Sequence, residues 1–154
     1  MTISTDGQIC YGIPFDESCE FPWDDKRWDG IEDWWLYEVC GYTNPFELYI
    51  NGGYIDGIRP PEEEIDQYHK TMIGFQVKHP CPITLVNYCS CDAPMYILAV
   101  PSSIIVANRG YPKHIDVTRL VVSNQEIDAL FEFCREHNLY GLASPKWWLS
   151  SYWG

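Results

Sequence analysis

The sequence predicts a single α+β domain over residues 1–154, with an antiparallel β-sheet that carries two or three helices on one face. A chain of 154 residues has the usual length of one domain. Three short segments rich in β-branched and aromatic residues follow one another between residues 83 and 108, and amphipathic helical patterns flank them. Hydrophobic residues make up 46% of the chain and charged residues 21%, which is typical of a folded domain rather than a disordered one.

The first part of the chain alternates short elements with an acidic loop. Residues 8–13 predict a short strand, and the Pro-, Asp- and Glu-rich segment that follows predicts a loop up to Asp29. Asp29 suits the N-cap of a short helix at 31–39. Four side chains of that helix are expected to face inward, wholly or in part: Ile31, Trp34, Trp35 and Leu36. Asn51-Gly52 predicts a hairpin at 46–55.

The remaining elements carry stronger local signals. Pro61 and three following glutamates open a helix at 61–78, with an apolar stripe formed by Ile65, Tyr68, Met72 and Phe75. Strands are predicted at 83–88, 95–100 and 103–108, and their short connections indicate an antiparallel meander. The capping box at 123–126 begins a helix that ends near residue 137. Residues 120–122 form a further edge strand in this interpretation, and residues 147–154 form either a last strand or an extended clamp.

The charge of the chain is unevenly distributed. The net charge is −12, and residues 1–66 hold 16 acidic and 3 basic residues, whereas residues 67–154 hold 6 acidic and 7 basic residues. Such a field repels phosphates and disfavours direct binding of DNA or RNA. It attracts basic protein surfaces and speeds their encounter.

These observations predict a partner-binding surface in the N-terminal half. Acidic residues alternate with tryptophans there, and the candidate residues are Trp23, Asp24, Asp25, Trp28, Asp29, Glu32, Asp33, Trp34 and Trp35. Tryptophan is a common interface anchor, and flanking acids would steer a basic partner. The alternative interpretation is that the acids only solvate a face and the tryptophans pin loops to the core. The cluster at 62–66 is explained by the preference of a helix N-terminus for acids.

A basic turn provides a second candidate site. Arg109, Lys113 and Arg119 could hold a small anion or nucleotide, or they could balance the acidic half within the chain, which is the interpretation we favour.

Other chemistry is weakly indicated. The spacing of His79, Cys81, Cys89 and Cys91 does not match a zinc site, and no elbow or complete triad surrounds a nucleophile. The sequence therefore predicts no catalytic residue, no bound metal and no cofactor.

The number of cysteines and the character of the first residues indicate where in the cell the protein acts. The seven cysteines are odd in number, and the first residues lack the features of a secretion signal. No apolar stretch is long enough to cross a membrane. We therefore expect thiols rather than disulfides, no membrane association and a cytoplasmic location.

Several stretches resemble a family of small proteins from tailed bacteriophages and prophages. They are the opening TISTDGQICYGI, IEDWW at 31–35, VNYC at 86–89, PMYILAVP at 94–101, RGYP at 109–112 and the closing LSSYWG. The resemblance covers the whole chain and implies a phage gene that acts in the bacterial cytoplasm. The family has no assigned activity, so the resemblance transfers no site residues.

The leading hypothesis is a non-enzymatic phage protein that binds a basic host protein, for example as an inhibitor of a defence or nucleic-acid-handling factor. An immunity protein that neutralises a bacterial toxin is one alternative. A small-ligand or nucleotide-binding protein or an enzyme is a second, and a virion or assembly protein is a third.

Overall fold

The computed structural model describes residues 5–43, 61–141 and 143–153, and these ranges contain five strands and three α-helices. The strands are β1 (Thr5–Phe15), β2 (Thr84–Ser90), β3 (Pro94–Ala99), β4 (Ile105–Ala107) and β5 (Lys146–Trp153). The helices are α1 (Ile31–Trp34), α2 (Glu62–Lys78) and α3 (Asn124–Glu136), and a π-helical turn, Trp35–Val39, continues α1. The predicted α+β class is thereby confirmed.

The chain folds as two compact units. Met1–Asp25 and Pro82–Gly154 form the first unit, and Lys26–Cys81 forms the second. The sheet and α3 belong to the first unit, whereas α1 and α2 belong to the second. A single domain over residues 1–154 stays a prediction.

The sheet of the first unit closes on itself. Its strand order is β3-β2-β5-β1-β4, and β1 pairs additionally with β3. Residues Gly12 to Phe15 of β1 pair with β3, and residues Thr5 to Gly12 pair with β5. Since β2 pairs with both β3 and β5, the strands β1, β3, β2 and β5 form a ring. Gly12 belongs to both the β1–β3 ladder and the β1–β5 ladder, and its carbonyl accepts the indole N–H of Trp148 at 2.9 Å.

The structure corrects the predicted meander. The β2–β3 pair is antiparallel as expected, but β4 pairs with β1 instead of β3, because the turn Pro101–Ser103 separates it from β3. The sheet is mixed, since β5 runs parallel to β2. Residues 120–122 form no strand, so the predicted edge strand is wrong; they follow a 3-10 turn, Val117–Arg119. Of the two forms expected for residues 147–154, the structure has the strand, β5. The predicted hairpin at 46–55 lies outside the described residues.

Both faces of the closed sheet carry apolar side chains. A fully enclosed cluster on one face consists of Cys10, Val86, Ile97 and Ala99. The other face meets the acidic loop and α3: Phe15 contacts Phe21 at 5.3 Å between ring centroids, Phe21 stacks on Trp23 at 4.8 Å, and Trp23 meets Phe133 of α3 at 6.3 Å. The predicted capping box at Ser123 is present and begins α3.

The second unit is built on aromatic contacts. Tyr42 contacts Phe75 of α2 at 4.8 Å between ring centroids, and the Tyr37 and Tyr68 hydroxyls lie 3.1 Å apart. The predicted stripe of α2 is half-buried, whereas Ile73 and Val77 are 54% and 75% exposed. The expectation that the helix at 31–39 faces inward, wholly or in part, is met: Ile31, Trp34 and Leu36 are buried, and Trp35 is half-buried.

Candidate functional site

Two of the four tryptophans in the predicted interface are buried. Trp23 is 4% exposed and Trp34 is 5% exposed, so neither ring is available as a surface anchor. Trp23 is enclosed because its ring stacks on Phe21 and meets Phe133 of α3. Trp34 is enclosed because it follows the buried Ile31 by three residues and so lies on the same side of the helical turn. For these two residues the structure corrects the prediction and agrees with the alternative that tryptophans pin loops to the core.

Two acids of the predicted interface lie in the first unit, at the end of its acidic loop. Asp24 and Asp25 are exposed. The Asp24 carboxylate accepts the backbone N–H of Phe21 at 2.8 Å, which closes the 3-10 turn Pro22–Asp24. Asp24 therefore has a local structural role in addition to its charge.

The other predicted residues lie in the second unit and remain at the surface. Asp29 and Glu32 are exposed, while Asp33, Trp28 and Trp35 are half-buried. The Asp33 carboxylate accepts the backbone N–H of Asp29 at 3.2 Å, which orders the turn before α1. We call these five residues (Trp28, Asp29, Glu32, Asp33 and Trp35) the acidic surface.

Aromatic packing holds the acidic surface in place from within. Trp28 stacks on Tyr37 with 6.4 Å between ring centroids, and the Arg27 guanidinium lies 5.2 Å from the Trp28 ring. Burial, followed by the hydrogen bond with Tyr68, raises the pKa of the Tyr37 hydroxyl, so this group stays neutral at physiological pH. The tyrosine pair therefore has a packing and hydrogen-bonding role and adds no charge.

A groove adjoins the acidic surface in the same unit. Its volume is about 250 Å³, and it is lined by Glu32, Trp35, Leu36, Gln76, His79, Pro80 and Cys81. The Trp35 indole N–H donates to the His79 carbonyl at 3.1 Å, which joins α1 to the end of α2 and fixes the indole ring at the groove wall. Sequence reasoning did not bring these residues together, because α1 and the end of α2 are more than 40 positions apart.

A second cavity lies in the unit that contains the sheet. Its volume is about 400 Å³, and its lining is Asp6, Gln8, Leu85, Val86, Asn87, Ile104, Val106 and Tyr152. The Gln8 amide donates to the Asn87 carbonyl, and the Asp6 carboxylate accepts the backbone N–H of Arg109 at 3.1 Å. Four polar and four aliphatic residues thus line this cavity.

Lys113 and Arg119 of the predicted basic site each contact a nearby residue of the chain. The Lys113 ammonium lies 3.5 Å from the Val106 carbonyl, and the Arg119 guanidinium pairs with Asp116 at 3.7 Å. All three predicted basic residues are exposed, and none of them lines either cavity. Their role in anion binding stays a prediction, and the Asp116 pair favours local charge balance for Arg119.

The described ranges contain all seven cysteines and all four histidines of the chain. No group of three or more His, Cys, Asp or Glu side chains there is close enough to hold a metal ion. None of the seven cysteines, all of which lie in the described ranges, forms a disulfide. Burial raises the pKa of Cys10 and of Cys134 to about 11, so neither forms a reactive thiolate at neutral pH.

Comparisons with known proteins add no relative. No protein-family model, no curated protein and no solved structure matches this chain. Among the described helices, none is long and apolar enough to span a membrane.

Proposed function

We propose that the protein is a non-enzymatic binding protein that docks the acidic surface on a basic protein. The observation that supports this most directly is the exposure of Asp29 and Glu32 beside the half-buried indoles of Trp28 and Trp35. Carboxylates next to large aromatic rings are suited to a protein interface, since the rings supply contact area and the acids form a charged rim.

The charge of the whole chain favours the same kind of partner. The net charge is −12, and the acidic surface lies in the part of the chain with 16 acidic and 3 basic residues. Long-range attraction raises the rate at which a basic protein meets such a surface, and it weakens with salt because the Debye length is only about 8 Å at physiological ionic strength. Nucleic acids are disfavoured as partners by the same field.

The resemblance to phage proteins supports a host protein as the partner and the bacterial cytoplasm as the location. In this proposal the protein occludes a nuclease or another nucleic-acid-handling factor sterically and electrostatically. Two other settings predict different observations. An immunity protein would be encoded beside a toxin gene, and a virion or assembly protein would be present in purified particles.

Two matched triple variants test the acidic surface. The first replaces Asp29→Asn, Glu32→Gln and Asp33→Asn, and the second replaces Glu62, Glu63 and Glu64 with Gln. Both remove three negative charges, but the second set lies at the first turn of α2 and outside the proposed surface. Each variant and the wild type are immobilised and used to capture proteins from lysate of a bacterial host, followed by mass spectrometry.

The wild type and the second variant are expected to capture the same basic proteins, with retention that falls as salt rises. The first variant is expected to lose them. Equal capture by all three chains, or captured proteins without a basic surface, would contradict the proposal. Asn and Gln keep a side-chain oxygen, so the Asp33 hydrogen bond to Asp29 survives in the first variant.

The cavity of the closed sheet favours a second candidate function, the binding of a small molecule. Its volume of about 400 Å³ falls within the range of small-ligand sites, and four polar residues are part of its lining: Asp6, Gln8, Asn87 and Tyr152. A thermal-shift screen of metabolites with wild type and Val106→Trp tests this function. A ligand that stabilises the wild type but not Val106→Trp would support small-molecule binding, because the larger ring fills the cavity. Equal stabilisation of the two proteins would contradict it.

A further inference from the structure

The groove beside the acidic surface has the size of a single long side chain. Its volume is about 250 Å³, roughly that of eight water molecules in the liquid. Leu36, which is only 1% exposed, and Pro80 supply apolar walls. Glu32 is an exposed lining residue, so the groove and the acidic surface share a carboxylate.

The residues that line the groove include hydrogen-bond acceptors, and its indole N–H is already bonded within the chain. The Trp35 indole N–H is already donated to the His79 carbonyl, so the indole can offer its π-system but no further N–H. The His79 ring rests on Phe75 with 4.4 Å between centroids, which positions the end of α2. Glu32 and Gln76 contribute a carboxylate and an amide oxygen, and the described lining contains no lysine or arginine.

We propose that this groove receives an arginine side chain of the basic protein. This inference rests on the proposed function and names the residue type that the acidic surface selects. The aliphatic part of arginine would contact Leu36 and Pro80, while its planar guanidinium would stack on the Trp35 ring and form paired hydrogen bonds with Glu32. A lysine ammonium is a compact, strongly hydrated point charge that cannot make the planar stack, so the groove discriminates between the two cations.

Three short peptides measure this selectivity: acetyl-Gly-Gly-Arg-Gly-Gly-amide and the same sequence with lysine or citrulline in the centre. Citrulline has nearly the shape of arginine but carries no charge. Each is titrated into the ¹⁵N-labelled full chain, and the indole N–H resonance of Trp35 is followed, identified by its loss in Trp35→Phe. We expect the arginine peptide to shift this resonance, with about tenfold weaker binding of the citrulline peptide and several-fold weaker binding of the lysine peptide.

A pair of glutamate variants locates the effect. Glu32→Gln is expected to weaken binding of the arginine peptide about fivefold and to reduce its preference over citrulline. Glu38→Gln removes the same charge from an exposed residue of the same segment that does not line the groove, and it is expected to leave binding within a factor of two. Overlay of the amide spectra establishes that both variants keep the fold.

The outcomes separate this inference from the proposed function. Equal shifts with all three peptides, or equal effects of the two glutamate variants, would overturn the arginine groove. If the charge-matched triple variants still differ in capture, the acidic surface then stands without an arginine preference. Conversely, arginine selectivity without capture of any basic protein would support the groove and overturn the proposed docking function.

Discussion

Gly12 lies where the sheet closes, and Gly12→Ala should destabilise the first unit strongly. Residue 12 pairs with Ala99 of β3 on one side and with Lys146 of β5 on the other. A Cβ atom at this position would lie 2.2 Å from the Leu98 carbonyl oxygen, 2.8 Å from the Ile97 Cγ2 and 2.9 Å from the Ala99 Cα. Two of these three atoms belong to the backbone and cannot rotate away, so β1 and β3 must separate.

The expected cost follows from the nature of these contacts. Inserting one methyl group into a packed core costs about 1–3 kcal/mol when side chains can adjust. Since the nearest atoms here are backbone, we expect a loss at the upper end, about 3 kcal/mol in the free energy of unfolding. For a chain of this length that corresponds to a melting temperature lower by about 6–12 °C.

Gly7→Ala provides a control in the same strand. Gly7 also pairs on both sides, with Ala107 of β4 and Ser151 of β5, but a Cβ atom there would meet nothing within 4 Å. Its unfolding free energy should stay within about 0.5 kcal/mol of wild type. Urea unfolding followed by circular dichroism and tryptophan fluorescence measures both variants. The steric explanation would be refuted if both substitutions lowered the free energy of unfolding equally, or if Gly12→Ala were as stable as wild type.

Three further predictions concern the first unit and the thiols. Hydrogen bonds from Ser102 and then Ser123 lower the pKa of Glu126 from 4.5 to about 2. The stability that the ionised carboxylate contributes is therefore present above pH 4.5 and is lost as the pH falls toward 2. The urea midpoints of wild type and Glu126→Gln should converge over that range. Trp23→Ala should cost about 3–5 kcal/mol in unfolding free energy, measured by urea titration, because a buried, stacked indole is removed. Maleimide should modify the exposed thiols of Cys89 and Cys91 rapidly, as measured by mass spectrometry. The buried thiols of Cys10 and Cys134 should stay unmodified until the protein unfolds.

Each of these has a clear contrary result. A constant difference in midpoint between wild type and Glu126→Gln from pH 5 to pH 2 would exclude the proposed hydrogen-bonded carboxylate. A Trp23→Ala variant within 1 kcal/mol of wild type would place that ring at the surface. Labelling of four thiols at one common rate would contradict the burial of Cys10 and Cys134.

The elements that sequence reasoning located correctly are those with local signals. Proline followed by three glutamates began α2 at Glu62, one residue from the predicted start, and the capping box at Ser123 began α3. The β2–β3 hairpin followed from two β-rich segments with a short connection. In each case the determining residues lie within a few positions of one another, so composition and spacing suffice.

The arrangement of the sheet could not be obtained in the same way. The parallel β2–β5 pair and the pairing of β1 with three strands depend on residues that meet across most of the chain, as the Trp148 indole and the Gly12 carbonyl do at a separation of 136 residues. Short connections favoured a β3–β4 pair, but the turn Pro101–Ser103 redirects the chain along β1. No local pattern distinguishes the predicted partner of β4, which is β3, from its actual partner β1.

The candidate site likewise has features set by local sequence and features set by contacts between distant residues. The acids were correctly expected at the surface, since charged side chains in a polar loop are rarely buried. Burial of Trp23 could not be inferred, because it depends on stacking against Phe21 and on Phe133, more than a hundred positions away. The groove was missed for a related reason, as its two walls come from α1 and from the end of α2. One signal was present: the Trp35 N–H needed an acceptor, which the His79 carbonyl supplies.

The closed ring of strands also sets how the chain reaches its native state. Ladders between residues so far apart form only after a long loop has closed, and each doubling of loop length adds about 0.6 kcal/mol to that entropic cost. Contacts of high sequence separation place folding in the millisecond-to-second range, whereas helices such as α2 and α3 form within microseconds. We therefore expect helical signal to appear early in refolding. The indole of Trp148, which donates to the Gly12 carbonyl where β1 pairs with both β3 and β5, should report the last and slowest step.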